Sequence, residues 1–186
     1  MKIDNLIEIV KNKLDDERFI HSYGVYEMAI KLSNHYKADT KKVKIAAIFH
    51  DYAKLDSIEE QIKHIPANEV NKYKEYPVMY HSLAAAYMLR DDFNMDDLEI
   101  INAIKYHVWG SLNMSLIAKI VLISDKIEEG RNYPKVEHFR KLAFINLNLA
   151  IIEFLEDNIE YNIKKGFKIH PEQYEIINKL KEELNE

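Results

Sequence analysis

The chain contains no cysteine, which removes disulfides, thiolate nucleophiles and cysteine-ligated zinc or iron–sulfur centres. Any metal must therefore be held by histidine and carboxylate. No apolar run reaches the roughly 18 residues of a membrane-crossing helix, so no membrane association is expected. The opening MKIDNLIEIVKNKL is amphipathic and charged, unlike a signal peptide, and a cytoplasmic protein is expected. An excess of one charge is missing as well. The 26 basic and 31 acidic residues are interspersed and leave a net charge of −5. That balance lacks the basic stripe of a nucleic-acid binder, so nucleic acid is not an expected partner. No composition shift or low-complexity linker divides the 186 residues, and a single domain spanning 1–186 is expected, large enough for a real core.

Strand signals are also lacking. The apolar residues follow a helical period: Ile3, Leu6, Ile7, Val10 and Leu14 form one stripe, and Phe19, Ile20, Tyr23, Tyr26 and Ile30 begin another. No alternating run or Asn-Gly hairpin interrupts them, and an all-α helical bundle is predicted. Helix starts are signalled at Asp39 before Thr40, at the Ser57 to Glu60 capping box, at Ser115 and at Pro171. Gly110, Gly130 and Gly166 follow helical runs and mark stops. Residues 65–77 read as the one long irregular stretch, bounded by two prolines and suited either to a lid or to a solvated connector.

Against this background six polar residues stand at or beside core-facing positions: His21, His50, Asp51, His81, His107 and Asp125. A buried imidazole or carboxylate must be hydrogen-bonded, paired or bound to metal, because an unpaired buried charge costs several kcal/mol or more. The His50-Asp51 pair closes the apolar helix ending in Ile48 and Phe49, where both side chains would emerge at the edge of the core. Taken alone the pair also fits a solvated helix end, and adjacent His-Asp pairs are common by chance. His21 has Gly24, Val25 and Met28 on its helical face, His81 has Ala84, Ala85 and Met88, and His107 follows Ala103 and Ile104. Each histidine singly fits a hydrogen-bonded core residue, whereas the four together with two aspartates suggest a metal centre. Asp125 lies among Ile120, Val121, Leu122, Ile123 and Ile127, where a carboxylate needs a cation: a metal, or a salt bridge to Lys119, Lys126 or Arg131. The remaining histidines, His35, His64, His138 and His170, sit among polar neighbours and are expected at the surface.

The order His, His-Asp, Asp resembles the signature of the HD-domain metal phosphohydrolases. The two further histidines between the pair and the last aspartate resemble the two-metal subset, the YqeK-type symmetrical bis(5'-nucleosyl)-tetraphosphatases. The likeness covers most of the chain through RFIHSYGV beginning at Arg18, HDYAK beginning at His50, AIKYH ending at His107, Met114-Ser115, SDKIEEGR over 124–131 and FRKLA over 139–143. Two departures stand out, Ser82-Leu83 after His81 and Val108-Trp109-Gly110 after His107, where the family usually carries Gly-Pro and Thr-Thr-Gly; substrate contacts are expected to differ there.

The resemblance implies an HD-domain bundle with two metal ions, iron favoured over manganese or zinc, a choice compatible with the mixed nitrogen and oxygen donor set. It implies that Asp51 bridges the ions, that His21, His50 and Asp125 complete one site, and that His81 and His107 complete the other. A metal pair of this kind generates a nucleophile from water, orients a phosphoryl group and stabilises the leaving oxygen, which is phosphoester or phosphoanhydride hydrolysis. Lys54, Arg131 and Arg18 stand where they could neutralise phosphate charge or serve as ordinary ion-paired residues. Trp109 could stack on a purine or belong to the core. The implied reaction is symmetrical cleavage of diadenosine tetraphosphate to two ADP, with a small-molecule nucleotide as the partner. Two other readings stay open: the same fold acting on nucleoside mono- or triphosphates, and a non-catalytic nucleotide- or partner-binding helical module. The Ile- and Leu-rich C-terminal helices would either pack within the chain or form a homodimer face.

Overall fold

Helix start signals translate directly into structure. In the computed structural model, which describes residues 2–185, Asp39 accepts hydrogen bonds from the amides of Lys41 and Lys42 and opens helix α3 (Thr40–Phe49). Ser57 caps α4 (Ile58–His64), and Ser115 caps α8 (Leu116–Ile127). Pro171 immediately precedes α11 (Glu172–Glu183). The other helices are α1 (Ile3–Lys13), α2 (Asp16–His35), α5 (Ala67–Lys72), α6 (Tyr80–Phe93), α7 (Leu98–Lys105), α9 (Val136–Ile145) and α10 (Leu147–Lys164). Among the described residues there is no strand, and the fold is all-α. None of these helices is long and apolar enough to cross a membrane.

Helix α8 is predominantly apolar, with Ile117, Ile120, Val121, Leu122, Ile123 and Ile127 buried, and it lies at the centre of the packing. It is surrounded by α2, α3, α7, α9 and α10. Helix α6 packs on α7 and α4, and α11 packs on α10. One apolar cluster runs through all of them from Leu6 to Leu180. The apolar face of α11, made by Ile176, Ile177 and Leu180, is buried within the chain, and Lys119–Glu183 and Lys181–Glu156 ion pairs flank it. The turn after α7 closes on Gly110 at φ 95°, where a Cβ would also stand 2.9 Å from the Met114 sulfur; both facts favour glycine there.

Two expectations require correction. The stretch 65–77 is not irregular: α5 forms directly after Pro66, followed by a 3₁₀ turn over Pro77–Met79. It is also tied down, with Glu69 accepting from Lys105 Nζ (2.5 Å) and the Tyr87 hydroxyl (2.9 Å), the Tyr80 hydroxyl donating to the Val70 carbonyl (3.0 Å), and Tyr73 buried. Polar composition hid a helix whose anchors are contributed by α6 and α7. The second apolar stripe is only partly right: Tyr26 is buried and Phe19 and Ile30 pack on the core, but Ile20 and Tyr23 are exposed, and the inner face of α2 also takes in Ser22, Val25, Met28, Ala29 and Leu32. A helix that turns His21 inward must turn its neighbour Ile20 about 100° away.

Candidate metal centre

All six sequence-marked residues converge. His21 comes from the first turns of α2, His50 and Asp51 from the end of α3, His81 from the first turn of α6, His107 from the turn after α7, and Asp125 from the last turn of α8. Helices α2, α3 and α7 all pack on α8, so the side chains meet beside its C-terminal end. Except for His21, which keeps slight exposure, all are buried.

The two oxygens of Asp51 face different partners. Oδ1 lies 3.1 Å from His81 Nε2 and 3.4 Å from His107 Nε2. Oδ2 lies 3.7 Å from His50 Nε2 and 3.9 Å from His21 Nε2. Asp125 Oδ1 completes the second side, 3.0 Å from His21 Nε2 and 3.9 Å from His50 Nε2. Three overlapping groups have donor atoms within 4.8 Å of one another: His21, His50 and Asp51; His50, His107 and Asp125; and Asp51, His81 and His107.

Backbone and carboxylate acceptors set the imidazole tautomers. His50 Nδ1 donates to the Ala47 carbonyl and His107 Nδ1 to the Ile104 carbonyl, each at 2.8 Å, and His21 Nδ1 donates to Glu128 Oε1 at 3.2 Å. With Nδ1 protonated, each Nε2 presents a lone pair to the centre, as in metal-ligating histidines. His50 Nε2 and Asp51 Oδ1 are buried without any hydrogen-bond partner, a costly arrangement unless a cation meets them. Burial lowers the pKa of His50 to about 3 and lowers those of His81 and His107. These rings are therefore neutral at neutral pH, with lone pairs available to a cation. Burial acts to raise the Asp51 and Asp125 carboxyls, yet surrounding groups, led by His50 for Asp51 and by Lys126 for Asp125, hold both well below the usual carboxylate range. Four lone-pair nitrogens and two carboxylates, with no thiol, fit hard or borderline divalent ions.

Cations rim this floor. Arg18 Nη1 donates to Asp51 Oδ2 (3.1 Å), Lys54 Nζ stands 3.2 Å from His81 Nε2 and 3.9 Å from Asp51 Oδ1, and Arg131 Nη2 donates to Asp125 Oδ1 (2.7 Å). Burial lowers the Lys54 pKa despite the nearby Asp51 and Asp125. Asp125 thus has the salt-bridge partners considered from sequence, Lys126 (2.6 Å) and Arg131, as well as His21; Lys119 instead pairs with Glu183.

Trp109 lies beside the centre but is 5% exposed and packed by His170 (stacked, 5.6 Å), Tyr73 and Tyr76. Its ring serves as a wall rather than as an open stacking plate. The same contact corrects the surface assignment of His170, which is half-buried, whereas His35, His64 and His138 are exposed. Ser82 is buried and bonded to the carbonyls of Met79 (2.9 Å) and Lys105 (3.0 Å), so this departure locks α6 to α7.

Sequence reasoning missed Lys126 as a rim cation and Glu128 altogether. Glu128 is buried, binds His21 Nδ1 and accepts from the Gly130 amide at 2.6 Å. The available signal was Gly24. Glycine inside a helix costs about 1 kcal/mol relative to alanine, and here a Cβ would stand 2.6 Å from Glu128 Oε2. The missing side chain makes room for a carboxylate.

Comparison with known proteins agrees with this geometry. The HD domain family model matches residues 18–130. The chain is 35% identical over 183 residues to the symmetrical bis(5'-nucleosyl)-tetraphosphatase of Bacillus subtilis strain 168, covering 97% of this chain and 98% of that protein. It is 36% identical over 180 residues to the protein of the same name from Halalkalibacterium halodurans, covering 94% of each. A crystal structure from Clostridium acetobutylicum, described as a predicted HD superfamily hydrolase involved in NAD metabolism, superposes with a TM-score of 0.92 at 33% identity over 98% of both chains.

Proposed function

Because this chain belongs to the HD domain family of hydrolases, in the branch of the symmetrical bis(5'-nucleosyl)-tetraphosphatases, we propose that it hydrolyses diadenosine tetraphosphate and its relatives at the central phosphoanhydride, giving two ADP. The observation that carries this reading is the divided carboxylate of Asp51, with His81 and His107 on Oδ1 and His50 and His21 on Oδ2. We assign His21, His50, Asp51 and Asp125 to one ion and Asp51, His81 and His107 to a second, with iron as the expected metal. When bound, such a pair supplies Lewis acidity and an acidified water at neutral pH.

The protein's own groups do the rest. The Nδ1 bonds to Ala47, Ile104 and Glu128 hold the imidazoles in one tautomer and orientation, so the floor is organised before substrate arrives. Arg18, Lys54, Lys126 and Arg131 together offer four positive charges to the polyphosphate. Arginine is suited to bidentate phosphate contact, and lysine to a movable point charge. Burial of the floor excludes bulk water from all but the open face and strengthens these interactions. We assign Asp51, Lys54 and Arg131 to the reaction itself, and Arg18, Lys54, Arg131 and the wall residue Trp109 to substrate binding.

The test is product analysis. Protein purified without oxygen and loaded with ferrous ion is given diadenosine tetraphosphate beside a panel of nucleoside mono- and triphosphates, and products are resolved by anion exchange. ADP as sole product is expected. AMP plus ATP would move the attack to another phosphorus, turnover of the panel alone would assign a different nucleotide, and no turnover anywhere would remove the hydrolytic reading.

A further inference from the structure

Two clefts of about 610 Å³ each open beside the centre and share a wall. Lys126, Phe154 and Asn158 line both. Arg131, Tyr133 and Tyr161 line the first, and Tyr76, Trp109 and Phe167 line the second. The shared Lys126 pairs with Asp125 and stands 5.9 Å from the Phe154 ring centroid. The first cleft meets the centre at Arg131, whose Nη2 pairs with Asp125 Oδ1. The second is lined by Val108 and Trp109, the two residues after His107, whose Nε2 faces Asp51 Oδ1.

We propose that these clefts are paired nucleoside sites, one for each arm of a two-armed nucleotide, with Lys126 between them on the polyphosphate. The inference rests on the hydrolytic reading above, because a substrate cut at its middle carries an identical nucleoside on each side of the reacting bond. A site for it needs two base-binding places flanking one centre, and each cleft has a volume typical of small-molecule sites. Each cleft also presents an exposed aromatic side chain: Tyr161 is 57% exposed and Phe167 is 64% exposed. Flat aromatic side chains stack on purines at a cost of roughly tenfold in affinity when truncated. Polar specificity is available beside them. Asn158 and Asn162 bond to each other at 2.9 Å, with Asn158 lining both clefts and Asn162 the second. The Trp109 Nε1 is a buried donor without an acceptor.

Trp109 is the only tryptophan in the chain, so its fluorescence reports on the second cleft alone. The experiment is ADP binding to the metal-loaded protein, measured by equilibrium dialysis and by tryptophan emission. Two ADP per chain are expected. Phe167→Ala should weaken one of the two binding events roughly tenfold and remove the emission change, while Tyr161→Ala should weaken the other and leave the emission change in place. Tyr161→Phe should restore binding. Both truncated side chains are exposed, and circular dichroism verifies that the variants fold. One ADP per chain, or two that neither truncation weakens, overturns the proposal. Binding and turnover fail separately: two ADP bound as described with diadenosine tetraphosphate left intact sinks only the hydrolytic reading, whereas ADP as sole product with a single ADP bound sinks only the paired sites.

Discussion

The floor of the centre and the wall made by α10 and the segment after it depart in opposite ways from the usual distribution of residues. In the floor, imidazoles and carboxylates are buried among isoleucine, leucine and valine, with His50 Nε2 and Asp51 Oδ1 lacking any protein partner. In the wall, large aromatic side chains that packing could have hidden, Tyr161 and Phe167, stand exposed beside clefts. Single exposed aromatics are ordinary and singly buried histidines are too. What distinguishes each region is convergence, of ligand atoms in one and of aromatic rings, amides and a shared lysine in the other. Polar groups placed inside ask for ions, and apolar groups placed at a cleft ask for an apolar ligand surface.

The sharpest way to break this contrast is to remove the carboxylate that both halves of the floor share. Asp51→Asn is expected to lower turnover by roughly 10³-fold or more while circular dichroism still shows the helical fold; retained turnover would make the floor a structural polar cluster. Glu128→Gln tests whether the carboxylate behind His21 belongs to the floor. It should weaken metal affinity, read by chelator competition, by roughly 10- to 100-fold, and an unchanged affinity would leave Glu128 as a partner of Gly130 only. At the rim, Lys54→Ala and Arg131→Ala are each expected to reduce kcat/KM by roughly tenfold to a hundredfold with little change in metal content, the outcome the proposed phosphate-binding role requires.

Acid sharpens the same contrast. Folded His50 binds a proton only near pH 3, against 6.5 ordinarily, and His81 and His107 are shifted in the same direction. The unfolded chain takes up these protons more readily, so the metal-free protein is fully stabilised above pH 6.5 and loses stability as pH falls toward 3. Asp51 and Asp125, also held low, add a further loss below about pH 4. Denaturation midpoints in chelator should be lower at pH 5 than at pH 7.5, and a flat profile would contradict the buried, neutral state of the rings. The smallest effect belongs to His138→Ala, an exposed histidine paired with Glu153, which should leave turnover unchanged and stability within about 0.5 kcal/mol.

The floor was far more legible in the sequence than the wall. His21 and Asp125 sit on the inward faces of largely apolar helices and Asp51 just past the end of another, so each announces itself as an exception. Caps at Asp39, Ser57 and Ser115 were legible because a side-chain oxygen must satisfy the first free amides. Helix α5 was not, since its stability comes from Glu69 meeting Lys105 and Tyr87, residues 36 and 18 positions away. On α2, Ile20 and Tyr23 look like core residues until the direction of His21 is known, whereas Tyr26 of the same stripe is buried. Glu128 sat unassigned inside SDKIEEGR, for only the approach of α2 to the end of α8 reveals that Gly24 makes room for it. Tyr161 and Phe167 belong to clefts assembled from several elements, and no periodicity announces such a wall.

The most direct test of the account is a count of metal ions in protein purified anaerobically and desalted, for the unaltered chain and for His81→Ala. Two ions per chain falling to one in the variant is the predicted result. A single ion in both would contradict the division of Asp51 between two metals.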